Sequence, residues 1–149
     1  MNHASIEAGV ADCWRRTVAA ALAVACLLGF GVAAAQSDAA KPGEDFLKAV
    51  DSQRYADSWD LTSDYFKQSV SKTEWASQLR QVRDPLGSIV VRSLKSSEPQ
   101  KDPRGAPAGD YLLVTYQTTF SSSPELRIET LPLIKGTDGQ YHVVGYFIR

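Results

Sequence analysis

The sequence predicts an α+β domain in which helices come first and an antiparallel sheet of about four strands follows. Three observations carry this reading. Apolar residues recur at helical spacing as far as Arg83, they alternate at period two after Leu86, and Asp84-Pro85 divides the two regimes because a residue before proline is pushed out of the helical region.

The first helix is expected over 43–51, with Glu44 and Asp45 in the first turn, where the helix dipole favours acids, and Phe46 and Val50 as an i,i+4 apolar pair. A second covers about 55–63, stacking Tyr55 and Trp59 on one face with Ala56 and Thr62 beside them. Ser63 or Asp64 restarts a short turn that carries Phe66 and Val70. Ser71-Lys72-Thr73-Glu74 is a capping box, and Val70 with Trp75 completes a hydrophobic staple around it. Trp75, Leu79 and Val82 form the apolar face of this helix, which ends near Arg83.

The strands follow. Residues 87–95 hold Ile89, Val90, Val91 and Leu94, a β-branched run. Residues 96–109, with prolines at 99, 103 and 107, read as a loop. In 111–120, Leu112, Val114, Tyr116 and Phe120 share one face, and Thr115, Gln117 and Thr119 mark the wetter one. Residues 121–124 turn the chain into a third strand over 125–134, where Pro132 implies an edge or a bulge. Gly136-Thr137-Asp138-Gly139 is hairpin chemistry, and 141–148 is the last strand.

Ahead of the domain, residues 1–16 are polar and end in Arg15-Arg16, and 17–35 is an uncharged stretch of 19 residues that closes on Ala33-Ala34-Ala35. A basic lead, an apolar middle and a small-residue exit make up a secretory signal peptide. The expectation is therefore removal of 1–35, a periplasmic or secreted location, a flexible tail over 36–41 and a single domain over 42–149. The apolar stretch is also long enough to span a bilayer, so an anchor formed by the uncleaved segment is the alternative. Ala25-Cys26 makes a poor lipid-attachment site, because Leu27-Leu28-Gly29-Phe30 continues the apolar run past it. Cys13 and Cys26 both fall in the segment to be removed, which leaves the mature domain without a thiol or disulfide.

The residues Tyr55 with Ser58-Trp59, Trp75 and Leu79 leading into Arg83-Asp84-Pro85-Leu86-Gly87, Gly109-Asp110-Tyr111, Thr118-Thr119-Phe120, Glu125, Gly145-Tyr146 and Ile148-Arg149 together resemble the bacterial family known as domain of unknown function 4019. The resemblance implies an envelope location and a cone-shaped fold of the nuclear transport factor 2-like or cystatin-like kind, with helices packed on a curved antiparallel sheet. It implies no activity. Tyr141 departs from the pattern, standing where a tryptophan is expected, and Ser121-Ser122-Ser123 replaces a more polar, often basic turn.

Chemistry is mostly a matter of exclusion. The chain carries 16 Lys and Arg against 17 Asp and Glu, interspersed and with no basic stripe, which argues against a nucleic-acid partner. His142, the one histidine beyond the leader, sits between Tyr141 and Val143 as a plain strand residue. One His and no Cys give no ordinary zinc or copper site, and there is no calcium-loop spacing or phosphate-cradling glycine loop, so no metal and no cofactor is assigned.

No catalytic residue is assigned either. The enzymatic alternative is proton transfer between a carboxylate and a tyrosine in an apolar pocket, drawn from Tyr55, Tyr65, Tyr111, Tyr116, Tyr146, Asp60 and Asp64. The residues expected at a ligand site are Trp59 and Trp75 as aromatic walls and Arg83 as an anion-holding guanidinium, with Tyr116 and Tyr146; their competing role is core packing. The leading expectation is a non-enzymatic module that binds a small molecule or an envelope protein through the concave side of its sheet. The alternatives are a small enzyme of the cone fold and an interaction protein that pairs with a second copy through its sheet.

Overall fold

The computed structural model describes residues 32–149; most of the expected leader, with its arginine pair, lies outside the described residues. Helix α1 (Val32–Asp51) is followed by α2 (Tyr55–Asp60), α3 (Asp64–Ser69) and α4 (Lys72–Arg83), then by a 3₁₀ turn and five strands, β1 (Ile89–Lys101), β2 (Asp110–Phe120), β3 (Ser123–Lys135), β4 (Tyr141–Val143) and β5 (Phe147–Ile148). The sheet is antiparallel and open, in the order β1-β2-β3-β4, with β5 also on β3. Helices before an antiparallel sheet is the α+β arrangement expected. No helix among the described residues is long and apolar enough to cross a membrane.

α3 and α4 start where the sequence places them, but α2 stops at Asp60 and does not reach residue 63, because Ser63 is already extended as the cap of α3. Ser63 Oγ accepts from the Phe66 amide and starts α3, and Ser71 Oγ accepts from the Glu74 amide at 3.3 Å and starts α4. Val70 and Trp75 are both buried at the staple, and Pro85 turns the chain out of α4 directly after Arg83. α1, however, begins at Val32 and not at Gly43, so residues 36–41 are helical. Alanine-rich sequence favours the helix there, and Pro42 removes one ladder bond without ending it. Ala39 and Ala40 already pack on the core.

Three strand expectations are corrected. β1 runs on to Lys101 through the segment read as loop, because β2 supplies partners from Ser96↔Thr115 to Lys101↔Asp110. Pro99 is tolerated because β1 is an edge strand. β3 is internal despite Pro132. The Pro132 carbonyl accepts from Val144 at 2.9 Å, so its ring nitrogen faces the break between β4 and β5, where no ladder donor is needed. For the same reason the last strand is split in two.

Register fixes the two faces of the sheet, since directly opposed residues share a side. Leu112, Val114, Tyr116 and Phe120 of β2 stand with Leu131, Leu133 and Glu129 of β3 on the helix side. There they meet Phe46, Val50, Trp75 and Leu79.

Candidate functional site

Glu129 has no exposure to solvent, and it is the centre of a buried ionic cluster on the helix side. Period-two alternation puts it in phase with Leu131 and Leu133, on an otherwise apolar face. Arg92, reaching across from β1, forks onto it with Nε donating to Oε2 at 2.7 Å and Nη2 to Oε1 at 2.9 Å. The Thr118 hydroxyl donates to Oε2 and the Tyr146 hydroxyl to Oε1. Each oxygen therefore receives two donors, about as many as a carboxylate accepts. Burial pulls the Glu129 carboxyl upward, but Arg92 and the two hydroxyls outweigh it and hold the group below its ordinary range.

The other edge of the Arg92 guanidinium is taken by Asp51 at the end of α1, at 2.6 Å from Nη1 and 3.1 Å from Nη2. Asp51 also accepts from Arg83 Nη2 at 3.0 Å. Desolvation opposes the charge on Arg92, yet the two flanking carboxylates overcome it and keep the group protonated. Arg83 is 4% exposed and stacks its guanidinium on Phe120, 4.5 Å from the ring centre, with Nε and Nη1 left without partners among the described residues. Two cations and two anions balance within the cluster.

Of the expected ligand-site residues, three meet here. Arg83 and Tyr146 belong to the cluster, and Tyr116 lies with Arg92 over its ring at 6.0 Å. Trp75 is one layer behind, separated by Phe46, whose ring is 5.7 Å from Tyr146 and 6.2 Å from Trp75. Its indole donates to Ser58 Oγ at 3.0 Å in the core. Trp59 stands apart, pinned by its indole to the Val70 carbonyl at 2.8 Å and flanked by the ammonium groups of Lys67 and Lys72. Asp51, Arg92, Thr118 and Glu129 were not expected. The one signal for them in the sequence is a glutamate in phase with leucines on a strand, which calls for a cationic partner that only the long-range register identifies.

Four of the five candidate tyrosines hold their protons more firmly than usual. Tyr55 is pushed up to about 12 by burial and by its hydrogen bond to Asp84, and Tyr111, Tyr116 and Tyr146 are all raised, chiefly by burial. Asp60 pairs with Lys72 at the surface. Among the described residues no cluster of His, Cys, Asp and Glu has an arrangement that would hold a metal ion.

A second feature lies on the outer face of the sheet. The outward positions of β2 (Leu113, Thr115, Gln117, Thr119) and of β3 (Ile128, Thr130, Pro132, Ile134) carry no charge. At one end of this face an apolar recess of about 20 Å³ is walled by Tyr65, Pro107, Tyr111, Pro132, Val144 and Phe147. None of the five expected ligand-site residues lines it.

Residues 42–146 match the model of a protein family described as a protein of unknown function, DUF4019. No curated protein sequence matches the chain.

Proposed function

Since the chain belongs to the DUF4019 family, whose function is unknown, we propose that it is an exported, non-catalytic module that binds a protein partner through the outer face of its sheet. The observation that carries this is the middle of the outer face: eight outward positions, four in succession on each of two central strands, lack a charge, with Glu98 of β1 beside them opposite Leu113. A solvated sheet face ordinarily alternates to polar and charged residues. The size of the recess on that face supports one ligand class over another. It has room for about one water-sized group, whereas small-molecule sites hold about 300–1,000 Å³. The tip of one side chain from a partner fits it better than a metabolite does.

An enzymatic reading would draw on Glu129 beside Tyr146. The acceptor positions of Glu129 are filled, its carboxyl is held low, and Tyr146 is held high, so neither group is poised to exchange a proton near neutral pH. Export is supported by the basic lead, the apolar stretch and the alanine exit, and a cut after Ala35 would leave α1 from Gln36 onward with its Ala39 and Ala40 contacts.

The test is site-specific photo-crosslinking in the native host. A photoreactive side chain at Thr115 or Thr130 is expected to give a discrete adduct, identified by mass spectrometry, and one at Gln81 on the exposed side of α4 is not. Equal or absent labelling at the two faces overturns the proposal.

A further inference from the structure

Asp138 is the one aspartate in the chain that a glycine follows, and no asparagine-glycine pair occurs. Such a pair is chemically labile wherever the chain is free to turn. With no Cβ in the way, the Gly139 nitrogen can attack the Asp138 side-chain carboxyl, forming a C–N bond and a five-membered imide as water leaves. Water then adds at the imide carbonyl that came from the main chain and breaks its bond to nitrogen. The backbone now runs through the side-chain carbon. The product is isoaspartate, with no atom gained or lost overall.

The pair sits at the tip of the β3–β4 hairpin, where among the described residues no atom lies within 4 Å of a Cβ built on Gly139. Three contacts nevertheless hold the reacting groups. The Gly139 N–H donates to the Gly136 carbonyl at 3.0 Å, which keeps the attacking nitrogen's proton engaged across the turn. Asp138 Oδ1 accepts from the Gln140 amide at 2.9 Å, and Oδ2 lies 2.9 Å from His142 Nε2. The carboxylate is thereby fixed and cannot turn freely toward the nitrogen. The Gln140 amide, and then His142, also hold it below its ordinary range, and an ionised carboxylate is a poor target for a nucleophile. Gly136 makes room for this arrangement, since a Cβ there would stand 2.7 Å from Asp138 Oδ1 and 3.1 Å from His142 Nε2.

We infer that Asp138 is a modification site, one that converts spontaneously to isoaspartate, and that the folded turn holds the conversion back through Gly136, Gln140 and His142. His142 is the guard that the turn cannot supply for itself, because it belongs to β4 and is set opposite Ile134 by the sheet. Conversion reaches beyond the tip. The added backbone carbon is incompatible with the Gly136 N–H to Gln140 bond of 2.7 Å that closes the hairpin. β4 is three residues long, and its Val143 carbonyl accepts from the amide of Ser63, the cap of α3, at 2.8 Å.

Ageing of the purified chain at neutral pH tests this, at a temperature below the melting range of every variant used. Isoaspartate at position 138 is read by peptide mapping: the isomerised peptide keeps its mass, elutes separately and resists an aspartate-specific protease. In denaturant the wild type is expected to convert readily. Folded, it should convert several-fold more slowly, because the reaction waits on local opening of the hairpin. Folded His142→Thr is expected to convert several-fold faster than folded wild type, yet at the wild-type rate in denaturant. His142→Gln, whose amide can still donate to Asp138, should return most of the protection. Absence of isoaspartate from the denatured wild type removes the site. Equal rates for folded and denatured wild type, or a folded His142→Thr no faster than folded wild type, overturn the protection by the turn.

Discussion

Arg92 holds Glu129 by two parallel hydrogen bonds, at 2.7 and 2.9 Å, on a carboxylate with no access to solvent. Replacing Arg92 by Met leaves that charge buried and unpaired, and the expected loss is about 3–5 kcal/mol in chemical denaturation at neutral pH.

The pH dependence follows from the same pair. In the wild type the folded Glu129 carboxyl lies below its ordinary value of 4.5, so its contribution is fully present above that value and is lost as pH falls through the lower folded value. Without Arg92, burial dominates and raises the folded value, which reverses the sign. The Arg92→Met variant should therefore recover part of its deficit on acidification, while the wild type weakens. Denaturation midpoints of the two proteins across the acid range check this, and parallel curves would contradict it.

Trp75 is 2% exposed, touches Phe46 and Phe66, and donates its indole N–H to Ser58. Trp75→Ala is expected to cost roughly 3–5 kcal/mol through the cavity it leaves, with Ser58 losing its donor as well. A shift in midpoint equivalent to less than about 1 kcal/mol, the scale of a surface substitution, would contradict the core role.

Ser71→Ala removes the acceptor for the Glu74 amide at the start of α4 and should cost about 1 kcal/mol. Gly87→Ala should cost more. Its φ is +74°, and a methyl group there would stand 2.4 Å from Ser121 Oγ and 2.7 Å from Ser122 Oγ. With ψ at −154° this backbone is essentially confined to glycine and alone costs about 1–3 kcal/mol for a residue with a Cβ. Because Ser121 Oγ also accepts from the Ser88 amide, it is not free to swing away, and thermal melting should rank Gly87→Ala below Ser71→Ala.

N-terminal sequencing of the protein recovered from the cell envelope or medium is expected to begin at Gln36. Recovery of residues upstream of position 17 would instead favour the uncleaved anchor.

Local chemistry made α4 legible in advance: Ser71 with Glu74 marks its start and Asp84-Pro85 its end, and both act within a few residues. β2 was legible because one face is buried along its whole length. What escaped depends on partners far along the chain. The extension of β1 beyond Lys95 exists because β2 lies beside it, and the split of the last strand depends on where Pro132 falls opposite it. The cluster escaped for the same reason. Arg92 and Glu129 are 37 residues apart, and nothing near either one says that they meet.

The cluster also joins the domain's parts into one cooperative unit. Asp51 comes from α1, Arg83 from α4, Arg92 from β1, Thr118 from β2, Glu129 from β3 and Tyr146 from the link into β5. A form with the sheet assembled but α1 undocked would leave Arg83 and Arg92 without Asp51, and one lacking β1 would strand Glu129 without its cation. Intermediates are thereby penalised by their own unpaired charges. Unfolding followed by tryptophan fluorescence and by far-ultraviolet circular dichroism should give coincident transitions, because none of these six contributors can leave without breaking an ion pair or hydrogen bond that another depends on.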